Sequence, residues 1–596
     1  MFQSFEVTAR PEQGPPRLKA LREAMQAEGL DGFLVPRADA HQGEYVAPRD
    51  ERLAWLTGFT GSAGFCAVLS QVAGVFIDGR YRTQVKAQVA DVYTPVAWPE
   101  TGLGPWLIEQ LPDGGTVGFD PWLYSAGQIQ ALQKALEGSG VVLRVSDNLV
   151  DRVWSDQPDP PMGAVKVHPL EFAGEPHAAK RARLAETLKQ EGQRSALITL
   201  PDSLCWLLNI RGSDIPRNPV AHGFAILHDI GTVDLFMDAA KLIDVGDHLG
   251  PDVTVHDPDA LGGTVDQLAG PVRVDRDTVP YVLAERLGDR AAFGSDPCAV
   301  PKACKNPAEI AGAAAAHLRD GAAVVELLAW LDAQPIGSLK ETQVVTRLEQ
   351  LRRFDNALQG ISFETIAGTG PNGAIMHYRV TEETDSTLED GQLIVLDSGG
   401  QYLDGTTDIT RTIAIGTPPQ EACAAFTRVL QGMIAMSRLR WPQGLAGRDI
   451  EAIGRMPLWL AGQDFDHGLG HGVGAYLSVH EGPQRLSRAS HVPIKPGMIL
   501  SNEPGYYREG AFGIRIENLI VAQEAPPLPG GDDHRKMLNW RTLTFAPIDQ
   551  RLIVTDMLTP AERDWLNSYH AEVAEKIGPR LSSGAKTWLD AAVAPI

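Results

Sequence analysis

Leu393-Ile394-Val395-Leu396-Asp397-Ser398-Gly399-Gly400-Gln401-Tyr402-Leu403-Asp404-Gly405-Thr406-Thr407-Asp408-Ile409-Thr410-Arg411-Thr412-Ile413-Ala414-Ile415 reads as two strands and a turn. The apolar run 393–396 has the pattern of a buried strand, and an acid ends it. Asp404-Gly405 is a strong hairpin signal. The Thr- and Ile-rich run 406–415 suits a returning strand. Asp397 and Asp408 are symmetric about the Tyr402–Leu403 bond. A hairpin folded there sets them nearly opposite each other, with Cβ atoms about 4.5–5.5 Å apart.

Glu503 and Glu517 repeat the arrangement about Gly510, in the turn-like stretch Arg508-Glu509-Gly510-Ala511, and Gly513–Glu517 alternates as a strand does. Between the two hairpins lies His471, in Gly468-Leu469-Gly470-His471-Gly472-Val473-Gly474. Singly these residues say little: an Asp beside a turn is usually a turn residue. His467 and His471 have the spacing of a helical zinc pair, but the glycines between them oppose a helix. The set is what signifies. Four carboxylates meeting in a partly buried place repel and take up protons. Two divalent cations remove that conflict, and such pairs are hydrolytic machinery. Asp397, Asp408, His471, Glu503 and Glu517 are therefore the expected metal ligands.

These residues carry a resemblance. Asp397-Ser398-Gly399-Gly400, Asp404–Thr412, His467–Gly474, Val479-His480-Glu481-Gly482-Pro483, Glu503-Pro504-Gly505-Tyr506-Tyr507 and Gly513–Asn518 resemble, in order, the catalytic domain of the Xaa-Pro aminopeptidases (aminopeptidase P). That group belongs to the pita-bread metallopeptidases, with methionine aminopeptidase, prolidase and creatinase. Trp55–Gly64 and Asn209–Ile215 are similar to segments of the long, three-domain form. The one visible departure is Asn502, where many relatives have Asp, and tuning of Glu503 is the expected consequence.

The resemblance implies a metal-dependent aminopeptidase that releases the first residue of peptides with proline in second place. It implies that Asp397 holds one metal, His471 and Glu503 the other, and that Asp408 and Glu517 bridge both. Oxygen-rich coordination favours harder cations, and manganese is the expected metal. A water shared by two cations loses a proton readily and becomes the attacking hydroxide. Glu503 is the candidate to receive that proton and pass it to the leaving nitrogen. In relatives, histidines matching His377, His467 and His480 line the substrate site, and the one matching His480 stabilises the tetrahedral intermediate. His377, His480 and Glu503 are thus the expected catalytic residues. Arg515, two before Glu517, points to the same strand face and is expected to pair with a ligand carboxylate. Tyr507 is expected to do likewise through its hydroxyl. A homodimer is implied by the resemblance alone.

The rest of the chain agrees. Its 596 residues allow three or four domains, and a net charge of −22 opposes a nucleic-acid or anionic-membrane surface. The start has no basic, apolar leader pattern, no apolar run approaches a membrane span, and the five scattered cysteines suit a reducing cytoplasm. Cys298 and Cys304 form no convincing metal pair, because no second pair follows. A faint repeat is present: Leu53-Ala54-Trp55-Leu56 recurs as Leu204-Cys205-Trp206-Leu207, and Ala67-Val68-Leu69, with Asp78 beyond it, recurs as Ala225-Ile226-Leu227 with Asp238. Two related α/β domains in tandem follow.

The expected organisation is α/β and α+β: creatinase-like domains at 1–157 and 158–302, a pita-bread catalytic domain at 303–548, and a helical extension at 549–596. Asp156–Met162 reads as the linker between the first two domains, Pro301–Pro307 as the next boundary, and Glu309–Leu331 as a long helix. Thr559, Pro560 and Glu562 form a helix start, and Trp565, Tyr569, Val573 and Ile577 its apolar stripe, which packs on the catalytic domain. Two rivals remain open, a prolidase restricted to Xaa-Pro dipeptides and a catalytically inactive pita-bread binding protein; a metal-free creatinase-like hydrolase would have lost the ligand residues, and all five are present here.

Overall fold

The computed structural model describes residues 1–532 and 534–596. The chain divides into two compact units, Thr8–Ala299 and Met1–Val7 with Val300–Ile596.

The first unit holds two six-stranded mixed sheets of the same topology. One runs in the order Thr94–Ala97, Ala73–Ile77, Phe65–Leu69, Gly32–Pro36, Gly115–Phe119, Val141–Val145. The other runs Val253–His256, Val233–Phe236, Phe224–His228, Ser195–Ile198, Val272–Val274, Ala291–Phe293. The repeated triplets Ala67–Leu69 and Ala225–Leu227 fall on equivalent strands, each antiparallel to both neighbours. Leu53–Leu56 and Leu204–Leu207 fall on the helices Arg52–Thr57 and Pro201–Leu208. Asp78 and Asp238 both cap a short 3₁₀ turn, accepting from the amides of Arg80 and Ala240. The faint sequence repeat is therefore a repeat of topology.

The second unit is α+β. Helix Pro307–Asp332 starts with Asn306, whose side chain accepts from the amides of Ala308 and Glu309 while Glu309 reaches back. Strands Ile366–Thr369, Leu393–Ser398 and Ile409–Ala414 form one antiparallel sheet. A six-stranded sheet runs Arg440–Pro442, Met537–Thr542, Asn518–Glu524, Ile499–Asn502, Gly470–Gly472, Glu481–Leu486. Helices Pro307–Asp332 and Gln420–Ser437 contribute Val324, Leu328, Phe426, Leu430 and Met433 to one continuous core with these strands. Helix Pro560–Ile577 begins with the expected Thr559–Glu562 capping box, and its Tyr569, Val573 and Ile577 are buried in that same core, with Trp565 partly buried beside them. A further helix, Ser583–Ala592, was not anticipated. Among the described residues no helix is long and apolar enough to cross a membrane.

Candidate metal centre

The 393–414 hairpin forms, but two residues out of the expected register. Its ladder pairs Asp397 with Thr410 and Ser398 with Ile409, and Tyr402 with Gly405 near the tip. The tip is thus centred on Leu403–Asp404, with Gly405 already in the ladder opposite Tyr402. Asp408 lies diagonally from Asp397, across from neither expected position. Thr410, the direct partner, becomes a contact of the site: its Oγ1 donates to Glu517 Oε2 at 2.8 Å.

The second hairpin keeps the expected register about Gly510, with a gap where the acids lie. Asn502 pairs with Asn518 and Gly505 with Arg515, so Glu503 and Glu517 face each other between two ladders. Freed from pairing with each other, their amides bind outward. Glu517 N–H donates to Thr410 O at 3.1 Å, and Glu503 N–H to Leu469 O at 2.9 Å. Those two bonds draw the first hairpin and the His471 segment onto the second hairpin.

His471 lies on a strand, Gly470–Gly472, with Glu481–Leu486 on one side and Ile499–Asn502 on the other. Glycine flanks it because backbones crowd there: a Cβ at 470 would lie 1.9 Å from Ser501 O, and one at 472 would lie 2.3 Å from Glu481 O. His471 Nδ1 is 2.9 Å from Gly472 O, so that nitrogen carries the proton and Nε2 keeps its lone pair. Nε2 is 3.5 Å from both Asp408 Oδ2 and Glu503 Oε1. Burial, with His480 alongside, holds this imidazole's pKa down to about 4, which leaves it neutral and ready to ligate.

One atom each of Asp408, His471 and Glu517 lies within 4.8 Å of the others. Asp397 joins through Arg515, whose Nη2 donates to Asp397 Oδ2 at 2.6 Å. Glu503 lies beside His471, and Asp397 is near enough for its charge to act on Asp408 and Glu517. Burial, reinforced by the neighbouring acids, pushes Asp408 and Glu517 well above the usual carboxylate range. Burial raises Glu503 as well. Among the described residues, Asp397 Oδ1, Asp408 Oδ1 and Glu517 Oε1 are buried without a hydrogen-bond partner. A buried carboxylate oxygen with nothing to accept is costly. Such oxygens around a lone imidazole nitrogen fit hard divalent cations. Cys298 and Cys304 belong to no such cluster among the described residues.

The supporting residues differ in part from expectation. Arg515 pairs with a ligand acid as anticipated. Tyr507 does not: its hydroxyl takes Arg515 Nη1 at 2.5 Å and meets His467 Nε2 at 2.9 Å. Since His467 Nδ1 lies 2.7 Å from Gly468 O, Nε2 accepts and Tyr507 donates. Asn502 directs its side-chain amide to helix Gln420–Ser437. Its Nδ2 donates to Met433 O and Ser437 Oγ, anchoring the strand there. The contact to Glu503 Oε1 comes from Ser501 Oγ at 3.0 Å, which also accepts from the His471 amide. Ser501 and Thr410 were missed, because a hydroxyl within a strand carries no local signal of what it faces. Arg411 was missed too: wholly buried, it donates to the carbonyls of Thr410 and Glu517 and to Tyr569 Oη. His480 stacks edge-on against His471, ring centroids 4.4 Å apart. His377 is half-buried, and the carbonyl before it, Met376 O, accepts from Arg515.

This geometry agrees with the comparisons. The profile "Metallopeptidase family M24" matches residues 311–524 and "C-terminal region of peptidase_M24" residues 536–596. "Creatinase/Prolidase N-terminal domain" profiles match residues 17–153 and 156–309. A "Probable Xaa-Pro aminopeptidase P" of Talaromyces marneffei is 40% identical over 590 residues, 94% of this chain and 89% of that protein. The chain belongs to metallopeptidase family M24. A "Probable Xaa-Pro aminopeptidase P" of Coccidioides posadasii is 38% identical over 99% of the chain and 95% of its own length. Among solved structures, X-prolyl aminopeptidase from Caenorhabditis elegans, described as a cytosolic enzyme with a di-nuclear active site, matches with a TM-score of 0.94 and 31% identity, over 98% of this chain and 100% of that one. A prolidase from Pyrococcus horikoshii shares the fold, at 22% identity and a TM-score of 0.50, over 62% of this chain and 99% of its own.

For an M24 chain stripped of metal, the crowded acids set a pH dependence. The folded protein holds the Asp408 proton to higher pH than the unfolded chain does, so its stability falls as pH rises through and above the ordinary carboxylate range. Asparagine carries no such charge. Metal-free Asp408→Asn is therefore expected to melt above metal-free wild type, by a margin small near about pH 4 and larger by about pH 8. Thermal melts of both proteins across that range check it.

Proposed function

We propose that this chain is a dinuclear metallo-aminopeptidase that removes the first residue from peptides with proline in second place. The observation that carries this reading is the cluster of Asp408, Glu517 and Glu503 about His471, with Asp397 near enough for its charge to act on Asp408 and Glu517, and with three buried carboxylate oxygens that have no protein hydrogen to accept. Asp397 would hold one cation, His471 and Glu503 the other, with Asp408 and Glu517 shared. Manganese is the metal proposed for this oxygen-rich set. Bound cations supply charge that activates water and polarises the scissile carbonyl.

The remaining work falls to side chains. Glu503, held by Ser501 on Oε1, receives the proton of the attacking water and delivers it to the leaving nitrogen. That nitrogen is a tertiary amide when proline follows, so it has no proton until Glu503 supplies one. Ser501 and Thr410 fix the acids they touch, so that neither carboxylate rotates away during turnover. His480 and His377 donate to the substrate carbonyl as charge develops on it, and His467, locked by Tyr507, walls the site. We propose the domain limits 1–157, 158–302, 303–548 and 549–596, a homodimer, and a cytoplasmic location.

The tandem N-terminal domains favour peptides longer than two residues. An Xaa-Pro-Xaa tripeptide is expected to show kcat/KM at least about tenfold above the matching Xaa-Pro dipeptide, a difference of about 1.4 kcal/mol. Steady-state kinetics on the pair decides it. The reverse order reassigns the chain as a prolidase, and no turnover of either by metal-loaded protein leaves a binding protein.

A further inference from the structure

The boundary segment Pro301–Pro307 contains two deeply buried charges. The side chains of Lys302 and Lys305 are 3% and 1% exposed. Both reach Glu481, whose carboxylate is wholly enclosed. Lys302 Nζ lies 2.8 Å from Oε2, and Lys305 Nζ bonds Oε1. The backbone fixes where these ammonium groups arrive. Lys305 N–H donates to Gly497 O at 3.0 Å, and Cys304 bridges to Met498. Gly497 has φ +87°, and a Cβ there would lie 2.6 Å from Lys305 O, so the two segments are in close contact.

Glu481 is the residue through which this clamp reaches the chemistry. It directly follows His480, opens the strand Glu481–Leu486, and pairs with Gly472, the neighbour of His471. The His480 ring packs edge-on against His471, centroids 4.4 Å apart. A carboxylate buried between two ammonium groups has no water to turn to, so its place is rigid. Apolar residues of similar volume often stabilise a fold as well as such a triad does, so stability alone is a weak reason for three charges here.

We propose that Lys302 and Lys305 are positioning residues: acting through Glu481, they hold His480 at the distance and angle from His471 that catalysis requires. This rests on the reading of His480 as a group that faces the substrate. The lysines touch neither substrate nor metal. A misplacement of about 1 Å costs turnover by up to about a hundredfold, so loss should appear in kcat with KM and metal content unmoved.

The test uses the full-length, manganese-loaded protein and one Xaa-Pro-Xaa tripeptide. Wild type, Lys302→Met, Lys305→Met, Lys305→Arg, Glu481→Gln, the pair Lys305→Met with Glu481→Gln, and His480→Ala are compared for kcat, KM and metal per chain. The expected result is kcat about tenfold or more below wild type for each Met and Gln variant, with KM and metal content unchanged. The pair should be no slower than Glu481→Gln alone, and Lys305→Arg should recover part of the loss. Should Lys305→Met fail to fold, Lys302→Met carries the same comparison. Lysine variants within twofold of wild type, beside an impaired His480→Ala, overturn the proposal. Metal loss in step with kcat overturns it too, because the lysines then merely hold the fold. A fully active His480→Ala removes the reading beneath it, which a normal wild-type control separates from failure of the peptidase assignment itself.

Discussion

Glu517→Gln is expected to lower kcat/KM on an Xaa-Pro-Xaa tripeptide by about a thousandfold or more, equivalent to about 4 kcal/mol of transition-state stabilisation. Glutamine keeps the shape of the side chain and the contact from Thr410 Oγ1 to Oε2. It removes the charge and replaces one oxygen with an NH₂ group, which has no lone pair to offer a cation. The oxygen that has no protein partner, Oε1, is the one whose loss matters. Because Glu517 is the acid most hemmed in by Asp408, Glu503 and Asp397, the variant should fold at least as well as wild type without metal. Kinetics with parallel elemental analysis check this. Activity within tenfold of wild type, with full metal content, would contradict it.

Arg515→Met is expected to lower stability by about 3–5 kcal/mol and metal affinity by about 10–100-fold. The guanidinium is buried, 3% exposed. Burial works against its charge, but Tyr507 and Asp397 outweigh that and hold its pKa above its ordinary value. One fork donates both to Asp397 Oδ2 and to Tyr507 Oη. Methionine fills the space and leaves a buried carboxylate without its cation. Asp397 can then swing, and Tyr507 loses the donor that orients it toward His467. Lysine at 515 should rescue only in part, since one ammonium cannot span both partners with a planar fork. Thermal melts and metal titrations of the three proteins separate these outcomes. Unchanged melting and unchanged affinity in Arg515→Met would remove Arg515 from the account.

The parts of the site legible in the sequence were those written in local pattern. The Glu503–Glu517 register about Gly510 follows from alternation and a turn, both read within 15 or so residues. The topology repeat was visible because helix and strand triplets recur with their aspartate caps. The first hairpin slipped by two residues because symmetry of the acids placed its tip at Tyr402–Leu403, whereas the ladder closes on Tyr402 and Gly405. Contacts that arise only when distant segments meet left no trace. Thr410 meets Glu517 across 107 residues, Lys305 meets Glu481 across 176, and Arg411 meets Tyr569 across 158. Prolines at both ends mark 301–307 as a boundary, and nothing local indicates that its lysines turn inward. The helix Ser583–Ala592 hid behind Ser582-Ser583-Gly584, a string with loop composition whose first serine is in fact the cap.

The most direct measurement is the number of manganese ions retained per chain after chelator stripping, reloading and removal of free metal, followed by elemental analysis and the tripeptide assay. The account predicts about two per chain, with activity absent from the stripped protein and restored on loading. Full activity in stripped protein, or folded protein that retains no stoichiometric metal, would contradict it.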